Sequence, residues 1–430
     1  MSEPVLDHIV PRELVRATGR LAGAQIFVSA ALPLNATVGA VAAKDLSGHE
    51  GLAGISVGIA FLFSMLSLFV VGSVAQNLGR KPVLLAGLSL LGLGALVCGL
   101  AIWAHSFALL VVGTAIFGSG QGPSMLGRAA AADLYPPVLR GRGVGTVATA
   151  GAIGAVAGPL VAIAAGGGAE LAGIVRQAGP FLAVPLLGAV ALWLIATMRP
   201  DPRDVASDLG RWYRNLPQVP EPPPPRPRAE LVRLVPARAA ITATALVQAA
   251  MVGVMSITAV ELGDSGWADW QVQLLMAAHF IGMFALAYPV GMLADRLGRR
   301  RTMLLAIGVC AVGSFGTAVT GSSPLITPFF FLLGLGWAGC FVAGTAVMAD
   351  ITSPRERGVL TATNDFVVAG FGAASSLSAG AILSGAGYWA VGVTFGVPLL
   401  LALPQLLRLR EPRVGVYVEA PAAALAKQPA

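Results

Sequence analysis

The sequence predicts an all-α membrane protein, with twelve transmembrane helices arranged as two pseudo-symmetric six-helix bundles. Three observations carry that prediction: a composition too apolar for a wetted surface, twelve apolar runs of spanning length, and a pair of motifs that recurs at a near-constant offset. Of the 430 residues, 56% are hydrophobic and only 11% are charged, with a mean hydropathy of +0.78. A water-soluble domain carries roughly 25% charged residues, so this chain must bury its surface in something other than water. Its 54 glycines suit helices that approach one another closely in lipid.

A helix needs roughly 20 apolar residues to cross about 30 Å of hydrocarbon. Runs of that kind lie at 19–41, 52–75, 82–104, 107–130, 143–166, 179–198, 239–261, 271–294, 302–321, 325–349, 358–384 and 388–407, here called spans 1 to 12. Residues 1–16 are polar and the run after them is long enough to span, so it reads as a retained first helix rather than a cleaved signal. With the N-terminus inside, all 28 Lys and Arg residues except Lys44 and Arg176 fall at cytoplasmic ends or loops. That bias predicts a multi-pass inner-membrane protein with both termini cytoplasmic. The net charge of +7 is then a topology signal spread over many segments, without interleaved aromatics, and nucleic acid is not an expected partner. Cys98, Cys310 and Cys340 sit in apolar runs at unrelated spacings and read as packing residues. Neither a metal nor a cofactor is expected.

Residues 199–238 interrupt the pattern. They hold Pro222 to Pro225 in a row, six further prolines and eight arginines. Such a stretch cannot build a core and should be partly extended polyproline II, acting as a spacer, with Arg211, Trp212 and Tyr213 as candidates for the membrane interface. The expected organisation is an N-terminal half over 1–198, a cytoplasmic linker over 199–238, a C-terminal half over 239–410 and a disordered tail over 411–430.

The repeat sharpens this count. Gly72-Ser-Val-Ala-Gln76-Asn-Leu-Gly79-Arg80-Lys81 after span 2 matches Gly291-Met-Leu-Ala-Asp295-Arg-Leu-Gly298-Arg299-Arg300 after span 8, at an offset of 219. Asp133 and Arg140 after span 4 match Asp350 and Arg357 after span 10, at an offset of 217. Two motifs at nearly one offset indicate a duplicated six-helix unit, with a cavity between the halves near the midplane.

The Gly72–Lys81 and Gly291–Arg300 loops resemble the signature loop of the major facilitator superfamily, and the likeness extends over essentially the whole chain. That resemblance implies a transporter rather than an enzyme, and a latch that holds the outward-open state and breaks when the cytoplasmic side opens. Gly72 and Gly291 would let neighbouring helices approach, and Gly79 and Gly298 would permit a tight turn. Asp295 would meet a helix N-terminus or an arginine across the half, whereas Gln76 replaces the aspartate in the first copy and cannot supply its charge. Positive-inside anchoring alone would account for the same residues. Asp133 with Arg140, and Asp350 with Arg357, fit a gating contact with the neighbouring loop or helix-end charge equally well.

Gly154, Gly158 and Pro159 in span 5 resemble the antiporter element of the superfamily, with Ala162 where a glycine is usual, and predict a close helix contact and a bend. The arginine in span 4 associated with proton coupling in the family has no counterpart, since that stretch reads Val112-Gly113-Thr114-Ala115. Ionisable groups inside a membrane are costly and therefore candidates for function. Asp365 in span 11 and His279 in span 8 are the coupling candidates; a structural carboxylate and a packing histidine are the plain alternatives. Arg20 and Arg128 lie near helix ends and can snorkel. Spans 1, 4, 7 and 10 line the cavity in this superfamily, which makes Gln25, Asn35, Gln248, Met251, Met255 and Trp337 candidate substrate contacts, and Asn364, a polar residue inside span 11, is a further candidate. Methionines and aromatics there suit an amphipathic small molecule.

No phosphate loop with a lysine, metal-spaced cluster or nucleophile elbow is present, so enzymatic readings lack parts. The expected function is secondary active transport of a small organic compound by a monomer, favouring proton-coupled export. Uptake of a metabolite or vitamin is the alternative within transport, and a non-transporting sensor or scaffold the alternative outside it.

Overall fold

A computed structural model describes residues 10–136, 139–213 and 224–409. Helix is the only regular structure among them. Spans 1 to 6 are Arg12–Ser47, Ile55–Leu78, Arg80–Trp103, Phe107–Ser124 (continued by Gly127–Asp133), Arg140–Leu171 and Ala178–Ala196. Spans 7 to 12 are Val235–Asp264, the broken helix Asp269–Phe280 with Ala287–Leu297, Arg299–Thr320, Ile326–Asp350, Pro354–Ala386 and Tyr388–Gly396 with its continuation to Arg408. Eleven of these are long and apolar enough to cross a membrane singly, and the bent pair of span 8 makes the twelfth. Each half is a six-helix bundle. Below, the end of the bundle carrying the linker is the linker end and the other is the far end.

The outer surface carries many large apolar side chains. Leu171 is 93% exposed and Val319 87%, and Leu186, Trp193 and Trp389 are also open. Water would penalise such a belt heavily, but hydrocarbon does not. Inside, small residues set the spacing. Gly154 packs on the Ile26 carbonyl, and a Cβ at Gly158 would lie 2.6 Å from the Ala30 oxygen. Spans 1 and 5 thus meet backbone to backbone, as the glycine spacing predicts.

Span 5 runs as one helix through Pro159. The sharp break is in span 8, where the π turn Ile281–Ala285 leads into a 41° bend. Pro289 explains it: lacking an N–H, it leaves the Ala285 carbonyl without its helical donor, and the chain widens just upstream. No motif drew attention to that proline.

The linker is more than a spacer. Its first part docks on the N-terminal half: Asp201 accepts from the Lys81 backbone N–H at 3.2 Å, and Arg203 donates to the Asn77 carbonyl at 2.8 Å. Tyr213 is 4% exposed and its hydroxyl donates to the Leu134 carbonyl at 2.8 Å, so it is packed against protein and not at a lipid interface. Trp212 is half-buried, with Arg211 stacked 5.9 Å from its ring. The last part docks on the C-terminal half. Arg226 grips Glu356 through Nε at 2.8 Å and Nη2 at 2.9 Å, and also donates to the Ile351 carbonyl. Those carboxylate hydrogen bonds raise the Arg226 pKa above its ordinary value, outweighing the opposing effect of burial. Glu356 closes a capping box by accepting from the Ser353 N–H, so one carboxylate holds both the linker and the start of span 11. Pro217, Pro220, Pro222, Pro223 and the tail over 411–430 lie outside the described residues.

Removing one member of a largely buried ion pair strands the other, at a cost on the order of 3–5 kcal/mol. Glu356→Ala should therefore lower the thermal midpoint of the purified protein by several degrees. The exchange of Arg226→Glu with Glu356→Arg should recover part of that loss, measured by thermal unfolding in detergent.

Candidate substrate pathway and gates

At the far end the two halves are joined. Lys44 of span 1 pairs with Asp264 of span 7, and Arg176 before span 6 pairs with Asp269 of span 8 at 3.0 Å. These are the two cations that the charge bias left on this side. Gln273 of span 8 reaches Thr37 of span 1 at 3.3 Å. Spans 2 and 11 meet most closely: Gly54 lies against the Ser376 carbonyl, where a Cβ would not fit, and the Ser376 hydroxyl donates to the Gly54 carbonyl at 2.8 Å.

The salt bridges described at the linker end join groups of one half. Arg80 binds Asp133 at 2.8 Å, and Arg299 lies 2.8 Å from Asp295 and 3.3 Å from Asp350. Each motif loop is thus tied to the exit of span 4 or 10 through its arginine, in both copies of the repeat. Arg357 donates to the Ala349 carbonyl, and its charge acts on Asp350 beside that of Arg299. Asp295 is largely exposed and pairs one turn away on its own segment, without reaching across the halves. Gly79 and Gly298 have φ of +97° and +91°, the region a side chain rarely enters, which is the tight turn expected. Gly291 is not a close contact: a Cβ there would be 3.9 Å from Val342, an ordinary separation. The side-chain positions of Gly72 and Gln76 lie outside what the structure describes.

Between the two ends, polar side chains from spans 7, 10 and 11 form a seam. Thr244 and Gln248 stand one turn apart on span 7. The Thr244 hydroxyl meets Asn364 Oδ1 at 2.8 Å, and Trp337 Nε1 donates to Gln248 Oε1 at 2.6 Å. Gly372 on span 11 leaves room for the Gln248 amide, since a Cβ there would lie 3.3 Å from Nε2 and 3.4 Å from Phe61 of the opposite half. Trp337 stacks on Phe341 with centroids 4.8 Å apart and 11° between planes, and sits edge-on to Phe284 at 5.9 Å. These three rings are half-buried. An aromatic wall beside an amide that keeps donor capacity can hold a flat ring and orient its polar edge.

Asp365 follows on the same helix, half-buried, with Asn364 Nδ2 at 3.5 Å. Its neighbour Phe366 packs edge-on against Phe69 of span 2 at 4.8 Å, so this carboxylate lies where the halves meet. The charge of Arg128, at the end of span 4 in the other half, acts on it. Snorkelling alone therefore understates Arg128. No motif marked it, and only the fold brings its charge to bear on span 11.

The other candidates are placed differently. His279 is fully buried inside the C-terminal half, with Nδ1 on the Phe330 carbonyl at 2.8 Å and its ring against Phe330. Gln25 donates to Ser29 at 3.1 Å and fills the space left by Gly127 and Gly151, while Asn35 accepts from Ser56 at 2.9 Å. Met251 and Met255 are core residues, 3% and 5% exposed.

The family model described as Major Facilitator Superfamily matches residues 21–260 and again 239–426. The chain belongs to the major facilitator superfamily. It is 31% identical over 396 residues to the uncharacterised MFS-type transporter YdeG of Bacillus subtilis, covering 89% of each chain. It is 24% identical over 404 residues to the riboflavin transporter RfnT of Brucella anthropi, covering 90% of this chain and 94% of that one. A tetracycline resistance protein, class G, of Vibrio anguillarum is 27% identical over 384 residues, covering 86% of this chain and 90% of that one. The protein is thus a multi-pass membrane transporter of this superfamily, whose members bind small-molecule substrates.

The far-end ion pairs are partly exposed, so each is worth about 0.2–1 kcal/mol. Lys44→Ala together with Arg176→Ala should shift the ratio of far-end-closed to far-end-open molecules about two- to thirtyfold toward open, read from spin-label distances across that face.

Proposed function

We propose that this transporter exports a small, planar, amphipathic organic compound from the cytoplasm by alternating access, driven by protons through Asp365. The observation that carries this reading is the seam of Gln248, Trp337, Thr244 and Asn364, which ends on Asp365 at the junction of the halves. The ring of the substrate stacks along Trp337 and Phe341, and the Gln248 amide donates to its polar edge. Asp365 faces the field of Arg128 across the halves. Protonation removes that attraction and favours separation at the linker end; deprotonation restores it, so proton occupancy and gate position are linked. The linker end faces the cytoplasm, in line with the arginine and lysine bias. In the far-end-closed arrangement the Asp295 pair is local, as expected of a latch released on the cytoplasmic side. One chain contains both halves, and it works as a monomer.

The tetracycline resistance relative and the glycine-proline element of span 5 support export. Uptake of a vitamin-like compound is the second reading, favoured by the riboflavin transporter relative.

In proteoliposomes, a fluorescent fused-ring substrate should move against its gradient when a pH gradient is imposed. Asp365→Asn should abolish the response to that gradient while leaving substrate binding, and Trp337→Ala should raise KM about tenfold, the loss of roughly 1.4 kcal/mol of ring contact. Gradient-driven flux that persists in Asp365→Asn sinks the coupling assignment. Accumulation with inward flux only, in oriented vesicles, favours the uptake reading instead.

A further inference from the structure

A cavity of about 250 Å³ lies at the far end, walled by spans 1 and 5 of one half and spans 7 and 8 of the other. It shares no residue with the seam around Trp337. We propose that this cavity is a second binding site, for a small amphipathic organic ammonium ion, and that its occupation holds the far end closed.

Size and walls set the first limit. Val38, Ile163, Val260 and Val272 give it apolar sides. An apolar cavity of roughly 150 Å³ is enough for benzene, so this one admits a single ring with a short chain.

Hydrogen bonding sets the second. Gln273 lines the cavity, is 7% exposed, and turns Nε2 toward Thr37 Oγ1 at 3.3 Å. The Thr37 hydroxyl gives its own hydrogen to the Pro33 carbonyl at 3.1 Å, so it can only accept from Gln273. That fixes the amide orientation and leaves Gln273 Oε1 buried without a hydrogen-bond partner among the described residues. A ligand that satisfies it must bring an N–H or O–H donor.

Charge sets the third. Asp45, Asp264 and Asp269 line the cavity against Lys44 and Arg176. Each cation is already divided between two carboxylates, Lys44 between Asp264 and Glu50 and Arg176 between Asp269 and Glu170. The mouth is therefore net negative beside low-dielectric walls, which draws cations in and repels anions. An ammonium group supplies both the donor and the charge. Because both halves build the walls, the site is complete only when they are closed on each other, and a ligand that binds this state shifts the population toward it.

The test uses the purified full-length protein and phenethylammonium as the probe, with phenethyl alcohol and benzoate as neutral and anionic controls. Phenethylammonium should raise the thermal midpoint saturably, more than either control, and should narrow spin-label distances across the far end to the closed population. Gln273→Leu should weaken the effect at least tenfold, whereas Gln273→Glu, which keeps the side-chain shape and adds a carboxylate, should strengthen it. Trp337→Ala, in the seam, should leave the Gln273-dependent part of the effect unchanged. The proposal is overturned if the three probes act alike, if the wild type shows no saturable shift, or if the shift is lost in Trp337→Ala and kept in both Gln273 variants. None of these outcomes depends on which compound the seam carries, so this proposal and the transport reading fail separately.

Discussion

The contact between spans 2 and 11 governs how the two halves meet. Lipid offers no hydrophobic drive to press one helix on another, so association must come from close packing and from polar groups that find partners. Here both operate at one place. Gly54 admits the backbone of span 11, and the Ser376 hydroxyl closes on the Gly54 carbonyl. The same pair of helices stays in touch along its length, through Gly370 beside Met65 and Phe366 against Phe69. The contact is tight at the far end and aromatic toward the linker end, the form that a pivot between the halves would take under the proposed alternating access.

Charge is arranged around that pivot. At the far end, each of two cations is shared by carboxylates that include one from the opposite half. At the linker end, Arg80 and Arg299 hold their own halves rigid, and the linker adds a carboxylate at Asp201 beside a loop whose own aspartate position is Gln76. Rigid halves are what a rocking mechanism needs, since motion must be confined to the interface. The Arg226–Glu356 grip extends the same logic, fastening the linker to span 11 as firmly as its first part is fastened to the N-terminal half.

Much of this was legible in the chain. All twelve spans were readable because a hydrocarbon-crossing helix must be apolar over its whole length, whatever packs beside it. The tight turns at Gly79 and Gly298 followed from their motif, and the span 1 to span 5 contact from the spacing of Gly154 and Gly158. Composition misled at the linker: prolines and arginines suggested a free spacer and an interfacial Tyr213, but hydrogen-bond partners on folded loops cannot be seen in composition. His279 drew attention for its chemistry alone, and its place against Phe330 inside one half is a matter of helix rotation. Arg128 was legible only as a helix-end charge that can snorkel, and Gln273 carried no local signal.

The sequence by itself therefore determined the number of spans, their alternation, the duplicated loops and the side on which Lys44 and Arg176 stand apart. These follow from local rules: hydropathy, positive charge near the membrane surface, and glycine where the backbone turns sharply. Only the tertiary structure decided which polar groups face one another. It set Gln248 beside Trp337, Asp365 within the field of Arg128, Asp264 on Lys44, and the bend of span 8 at Pro289. A polar group buried in a membrane protein is defined by its partner, and these partners lie on other helices, from 89 to more than 230 residues away along the chain.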